Sequence, residues 1–417
     1  EDLIRLPHGV SDFKKLTKGN YKFVDKTLFI KDVMYDGSDV ILITRPRRFG
    51  KTLNLSMLYH FLRRNDNQDE NIFKDLEISK DSNFCQKHQH QYPVIFISFK
   101  GIKQKIYDQA YAEIVELIRK VYEEHRYLLE DDTLSDSEKN IFTALLNKQA
   151  DISDINSSIQ QLSVFMERRF KKKSIILIDE YDTPIQEAYL SDYYSEMITL
   201  MRDILGNSLK DNRCLAKAVL TGITRVSQES LFSGLNNLDV YSLLREDYGQ
   251  YFGFSESEVI ELISATRQQI SIDTIREWYN GYQVGKHVLY NPWSIISCLK
   301  NRGELKPYWL NTASNALIEK LLSDASIVVK HSFEELLQGK TVKQPLSENL
   351  VFTNIEKQEA SLWSLLLYAG YLKVLSKELG DRRLVAEFAI PNKEVSFVYS
   401  QIVEHWFAGA ISLDSYD

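Results

Sequence analysis

The stretch from Val40 to Thr52 restricts the fold more than any other part of the chain. An apolar run, Val40-Ile41-Leu42-Ile43, leads into Arg45-Pro46-Arg47-Arg48-Phe49-Gly50-Lys51-Thr52, and a helix-like run, Leu53-Asn54-Leu55-Ser56-Met57-Leu58, follows. Strand, tight loop ending in Gly-Lys-Thr, and helix is the context of a phosphate-binding P-loop, where backbone N–H groups and a helix N-terminus face phosphate oxygens. Arg48, Phe49, Gly50, Lys51, Thr52 and Leu53 are therefore expected around a bound nucleotide. Lys51 would reach the β/γ-phosphates and the Thr52 hydroxyl would ligate Mg²⁺. One position departs from G-x-x-x-x-G-K-[ST]: Arg45 stands where the first glycine belongs.

A P-loop predicts a second motif downstream, and Ile175-Ile176-Leu177-Ile178-Asp179-Glu180 supplies it. Asp179, at a strand's carboxyl end, would orient Mg²⁺, and Glu180 would polarise the attacking water as a general base. The next apolar strand ends in Thr221-Gly222-Ile223-Thr224-Arg225. In NTPases with a glutamate beside that aspartate, this strand lies between the other two. Thr221 is then placed as a sensor of the γ-phosphate or of the attacking water. Arg225 would stabilise charge on the transferred phosphoryl group, from the same or a neighbouring subunit. Asp182 reads equally as a turn residue before Thr183-Pro184 or as a metal ligand. Arg45, Arg47 and Arg48 either favour a polyanion or, for Arg45 and Arg47, point outwards to pair with acids such as Asp25 or Asp182. Pro46 fixes its φ where glycine would leave freedom.

Four apolar runs read as buried parallel strands: Val40 to Thr44, Val94 to Phe99, Ile175 to Ile178 and Ala218 to Thr221. Helical patterns lie between them, notably Ile106 to Leu129 and Ile155 to Phe170. The fold class is α/β, a P-loop NTPase with a parallel sheet of the additional-strand, catalytic-glutamate type, followed by a mainly helical domain. Residues 1–250 form the ATPase unit, opening with a lead-in in which Tyr21 to Thr27 reads as a short strand before a helix. Asp131 to Ser137 reads as a loop between helices. Residues 251–380 form a helical lid, with a capping box at Ser255 and helices at Asp273 to Tyr279, Pro292 to Lys300, Asn315 to Leu322 and Ser361 to Leu366. Residues 381–417 read as a short, partly β tail. The aromatic turns at Tyr282 and Trp293 read as packing, with base stacking as the sharper alternative.

Other chemistries are poorly supported. The net charge of −7 argues against a chain coated in basic surface, although a local patch can hide in the average. Cys85, Cys214 and Cys298 are far apart, which suits a reduced, cytoplasmic setting. No apolar stretch approaches the ~20 residues that span a bilayer, so no membrane partner is expected. The first residues, Glu1-Asp2-Leu3-Ile4-Arg5, lack the regions of a signal peptide. His88 and His90 near Cys85 make a weak zinc candidate. Glu304-Leu305-Lys306 matches the E-x-K of some nucleases but sits in a polar turn. No G-x-S-x-G elbow is present.

Several stretches together resemble one family. They are Leu6-Pro7-His8-Gly9-Val10-Ser11-Asp12-Phe13, Phe23-Val24-Asp25-Lys26-Thr27, the octapeptide from Arg45 and Leu177-Ile178-Asp179-Glu180-Tyr181-Asp182. Ser233-Gly234-Leu235-Asn236-Asn237-Leu238, Trp278-Tyr279-Asn280-Gly281-Tyr282 and Tyr290-Asn291-Pro292-Trp293-Ser294 belong to the same set. The combination is similar to the AAA-ATPase-like family of bacterial proteins, which usually carry a C-terminal PD-(D/E)xK nuclease-like domain. Arg45 matches that family's own pattern. The resemblance implies ATP and Mg²⁺ as ligands, with Lys51 and Thr52 in the P-loop and Asp179 and Glu180 in the second motif. The nuclease would begin after about residue 380, where no D…E-x-K set is found. The expectation is an ATP-hydrolysing regulatory or motor module, a homo-oligomer when active, that gates a C-terminal effector such as a nuclease acting on DNA. The alternatives are a scaffold that binds ATP with negligible hydrolysis and, less favoured, an autonomous nuclease.

Overall fold

The computed structural model describes residues 4–64, 71–130, 132–226, 231–232, 235–309, 316–349, 352 and 359–414. Five strands form one parallel sheet: β1 (Val40–Thr44), β2 (Val94–Ser98), β3 (Ser174–Asp179), β4 (Leu215–Gly222) and β5 (Leu238–Tyr241). Their spatial order is β2-β3-β4-β1-β5. Side chains alternate across the sheet, and both faces are apolar. Val40 and Leu42 enter one core while Ile41 and Ile43 enter the other. Helices Leu28–Tyr35 and Lys51–Leu62 cover one face; Tyr107–Glu124, Ile152–Phe170 and Tyr194–Leu209 cover the other. The first four strands match the apolar runs. β5 was not foreseen because it is a short, half-buried edge strand carrying Asp239.

Two N-terminal expectations change. The strand expected at Tyr21 to Thr27 reduces to one bridge between Arg5 and Tyr21. Asp25 bends the chain there by accepting from the Thr27 amide (2.8 Å) and hydroxyl (2.7 Å). The loop expected at 131–137 gives way to a helix at Asp136–Leu146, whose capping box uses Ser135 and Glu138; Asp131 lies outside the described residues.

Past residue 250, the Ser255 capping box opens a helix at Glu256–Ala265. Helices follow at Ile272–Tyr279, Pro292–Lys300, Ala316–Ser323 and Glu359–Tyr368; Asn315 lies outside the described residues. Unforeseen are a helix at Ile327–Leu337, a hairpin of β6 (Tyr282–Val284) and β7 (His287–Leu289), and a second sheet. That sheet is antiparallel, built from β8 (Val342–Pro345), β9 (Lys373–Leu379) and β10 (Leu384–Ala389) in the order β8-β10-β9. The boundary expected at 380/381 falls in the turn between β9 and β10, where the Gly380 amide donates to the Arg383 carbonyl. After β10 the tail is helical, Lys393–Asp414. Trp309, Leu317, Trp363 and Tyr399 belong to the same core as β1 and β3, so the later part of the chain packs on the sheet's own core. Among the described residues no helix is long and apolar enough to cross a membrane.

Candidate functional site

β4 lies between β1 and β3, with Ile43 opposite Thr221 and Ile178 opposite Leu220. The sequence motifs at the three strand tips are thereby brought side by side. In the loop after β1, the left-handed positions are Arg48 (φ 68°) and Gly50 (φ 82°). Arg45 is not among the residues with positive φ, so glycine is not required there. The strain sits instead at Arg48, where a side chain costs roughly 1 kcal/mol that glycine would not.

Arg45 points into the protein and is fully buried. Its Nη1 donates to the carbonyls of Thr44 and Tyr241, both at 2.8 Å, and Nη2 to that of Asp247 at 3.2 Å. The guanidinium also lies 5.4 Å from the Phe252 ring centre. Burial pushes it down to about 9. The outward pairing considered for Arg45 is therefore corrected. Asp25 is taken by Thr27 and by the Glu77 amide (2.8 Å), and Asp182 by the loop after β4. Arg45 pins the loop to the end of β5.

Lys51 is buried, and its Nζ donates to the carbonyls of Arg45 (3.1 Å) and Pro46 (2.9 Å). Burial lowers its pKa, opposed by Glu180, Asp182 and Asp179. The next residue, Thr52, donates its hydroxyl to Asp179 Oδ2 at 2.9 Å. Ser98 at the tip of β2 donates to the same oxygen at 3.0 Å, and Thr221 donates to Oδ1 at 2.8 Å. Three hydroxyls from three elements thus converge on one fully buried carboxylate. Burial raises its pKa and Glu180 adds to this; the Thr221 and Thr52 hydroxyls oppose them.

Glu180 takes a left-handed φ of 49°, a strained conformation of the kind found at functional sites. Its amide donates to the Thr221 hydroxyl (3.3 Å), and its carboxylate accepts from Thr183 Oγ1 (3.2 Å). Asp182 is a buried latch: Oδ2 accepts from the amides of Ile223 (2.9 Å) and Thr224 (3.0 Å). Tyr181 reinforces it, donating to the Thr224 carbonyl and accepting from the Val226 amide. These bonds leave Asp182 as a clamp on the β4 turn. Arg225 is half buried and does not line the cleft described next.

A cleft of about 310 Å³ opens over the loop. Its charged and polar lining includes Arg47, Arg48, Lys51, Thr52 and Glu180, with Lys100 and Lys103 from the segment after β2. Its apolar lining includes Val10, Phe23, Val24, Phe254, Trp293 and Ile296. Leu53 lines it too, while Phe49 is anchored against Tyr282 with ring centres 4.9 Å apart. Arg48 stacks over Trp293 at 4.2 Å, and Trp293 Nε1 donates elsewhere, to the Tyr308 carbonyl. Ser98, Lys100 and Lys103 were missed in the sequence. Their position at the carboxyl end of a parallel strand, where such sheets bind ligands, was the available signal.

The weaker candidates separate from this site. His88 faces the Tyr92 hydroxyl, His90 the Arg63 carbonyl, and Cys85 donates to the Ile78 carbonyl. Among the described residues no group of three or more His, Cys, Asp or Glu is placed to hold a metal ion. Glu304 and Lys306 pair with each other at 2.7 Å in a turn. Of the resembling stretches, Ser233 and Gly234 lie outside the described residues. Asn291 caps the helix at Pro292–Lys300, and Gly281 (φ 94°) lies so close to the Pro391 carbonyl that a Cβ would sit 2.2 Å from it.

The chain is similar in sequence or shape to several known proteins. A protein of Azotobacter chroococcum mcd 1, described as an uncharacterized protein in the vnfD 5′ region, is 28% identical over 375 residues. The match takes in 89% of this chain, which spans 64% of that relative's length. The Walker-type ATPase PABY2304 of Pyrococcus abyssi aligns with a TM-score of 0.43 and 11% identity, over 96% of this chain and 99% of that one. The family model described as "Predicted AAA-ATPase" matches residues 7–232, more than half of the chain, and the chain belongs to this AAA-ATPase-like family.

Proposed function

We propose that the chain binds ATP with Mg²⁺ in this cleft, hydrolyses it, and uses the cycle to move its C-terminal part. The observation that carries the reading is the convergence of Thr52, Ser98 and Thr221 on Asp179, with Glu180 beside Lys51 in the same cleft. The donor set suits a hard cation, because every group offered is an oxygen. Thr52 and Asp179 would hold Mg²⁺, which supplies charge neutralisation on the phosphates. Lys51, now satisfied by loop carbonyls, would exchange them for phosphate oxygens. Arg48 and the loop amides would add positive charge, and the apolar lining would take the base. Glu180 is placed to polarise a water, and its amide's bond to Thr221 ties it to the sensor position.

Coupling to the C-terminal part rests on direct contacts with the loop. Trp309 Nε1 donates to the Arg47 carbonyl (3.3 Å), Gly370 packs against Pro46, and Trp293 and Tyr282 hold Arg48 and Phe49. A change in the loop must pass to these residues, and through them to a downstream effector, for which a DNA nuclease remains our proposal. A binding-only switch is the second reading: Arg225 is not among the residues lining the cleft, so it would either take no part in hydrolysis or act from a second copy of the chain. Titrating labelled ATP and Mg²⁺ into wild type and Lys51→Ala tests the site; equal affinity refutes it. Glu180→Gln should keep binding and lose turnover by about 10²-fold or more. Phosphate release across protein concentrations separates the readings. Turnover that rises with self-association supports Arg225 acting between copies, and none at any concentration leaves the switch.

A further inference from the structure

The opposite end of the sheet carries a second cavity, of about 420 Å³. It lies where the helix Lys51–Leu62 ends, where β2 begins and where Ile152–Phe170 gives way to β3. That first helix has 12 residues, so the cavity is roughly 18 Å from the ATP loop at 1.5 Å per residue. Its walls combine cations with rings. Arg63 stacks over Tyr59 at 5.0 Å, Arg64 over Phe170 at 5.0 Å, and neighbouring Lys172 over Tyr92 at 4.3 Å. Tyr127, 41% exposed, completes the rim.

The charge here runs against the rest of the chain. The net charge is −7, yet Arg168-Arg169-Phe170-Lys171-Lys172-Lys173 places five cations in six residues beside Arg63 and Arg64. Arg168 is paired with Glu138 at 2.7 Å. Among the described residues, no carboxylate lies within ion-pair distance of Arg63, Arg64 or Lys172. Glu124 is the acid on the cavity wall. Helix dipoles alone favour cations at helix ends. They do not account for three rings of one open cavity, Tyr59, Tyr92 and Phe170, each lying under a different cation. A guanidinium held flat on a ring keeps its N–H edge for phosphate oxygens and its outer face for a base. Cations that track a backbone, with rings for successive bases, are what single-stranded nucleic acid requires.

We propose that this basic aromatic cavity, remote from the ATP cleft, is a docking site for a single-stranded nucleic acid. The probes are labelled dT20 and rU20, titrated with the full chain by fluorescence anisotropy at 50 and 200 mM salt. Wild type should bind at least one probe, tenfold or more weakly at the higher salt. Arg64→Glu combined with Lys172→Glu should lower affinity at least tenfold and leave ATP affinity unchanged. Tyr127→Ala, on the exposed rim, should weaken binding about fivefold or more if its ring stacks on a base. Lys51→Ala should bind the probe as wild type does in the absence of ATP. The proposal is overturned by absence of binding at 50 mM salt, by equal binding in the charge-reversed variant, or by binding only to vesicles containing anionic lipid. Comparison of the dT20 and rU20 arms distinguishes DNA from RNA.

Discussion

Replacing Arg45 by glycine would restore the familiar P-loop pattern, and the structure requires that this destabilise the protein. The native side chain is fully buried and makes three hydrogen bonds from a charged group to the carbonyls of Thr44, Tyr241 and Asp247. Such bonds contribute about 1.5 kcal/mol each at the low end of the measured range, with the desolvation of the cation already inside that figure. Contact with Phe252 adds about 1 kcal/mol, and the freedom of a glycine costs a further ~0.5 to 1 kcal/mol. Arg45→Gly should therefore lose about 6 kcal/mol, at or somewhat above the roughly 3 to 5 kcal/mol typical of breaking a buried charged pair. In urea this moves the unfolding midpoint down by roughly 1 M or more. The Arg45 side chain does not line the cleft, so the variant should still bind ATP, and saturation at a hundredfold over Kd should return about 2.7 kcal/mol. A midpoint within about 0.2 M of wild type, at a precision typical of such curves, would refute the reasoning: Arg45 would then not anchor the loop to β5.

Arg48→Gly makes the opposite case. Relief of the left-handed φ, about 1 kcal/mol, offsets the lost stack on Trp293, so stability should barely change while ATP affinity falls several-fold; isothermal titration decides. Gly222→Ala should cost about 1 to 3 kcal/mol, read as a fall in the urea midpoint. Its Cβ would stand 2.7 Å from the Tyr181 ring and 2.9 Å from the Asp182 carboxylate, both held by the latch on 223–226. Glu394 is fully buried, accepts from Ser294 Oγ and the Trp309 amide, and is pushed up to about 7 by burial. The folded state thus holds this proton more tightly than the unfolded chain. The stabilisation is complete below the unfolded value of 4.5 and is lost as pH rises through about 7. Glu394→Gln should be more stable than wild type at pH 8, by about 2 to 3 kcal/mol, with the advantage gone near pH 4.5. Urea midpoints of both proteins across that range test it.

Pattern alone was enough for the strands that frame the candidate site. β1, β3 and β4 are continuous apolar runs because both faces of the sheet are covered, and the chemistry follows each run at its carboxyl end. Lys51, Thr52, Asp179, Glu180 and Thr221 are adjacent to those runs in sequence, so their meeting at the strand tips could be read from it. Capping chemistry was legible for the same local reason at Ser255, while the Asn291 cap emerged only in the structure. Edge strand β5, hairpin β6–β7 and the β8-β10-β9 sheet were not, because short half-buried strands gain their stability from partners far along the chain. Side-chain direction was equally hidden. Outward pairing of Arg45 with acids was one of two readings left open; what turns the side chain inward is the carbonyls at 241 and 247, brought beside it by the β1–β5 pairing.

The sequence by itself therefore determined the class of fold and the chemistry at the strand tips, since both are written in short stretches of chain. Tertiary structure decided what those tips touch. It turned Arg45 into an anchor through hydrogen bonds to distant carbonyls. It added Ser98, Lys100 and Lys103 because β2 stands beside β3, and it left Arg225 outside the cleft. It also brought Arg63, Arg64 and the run from Arg168 to Lys173 to a common cavity, where a local excess of positive charge emerges that the composition of the whole chain conceals.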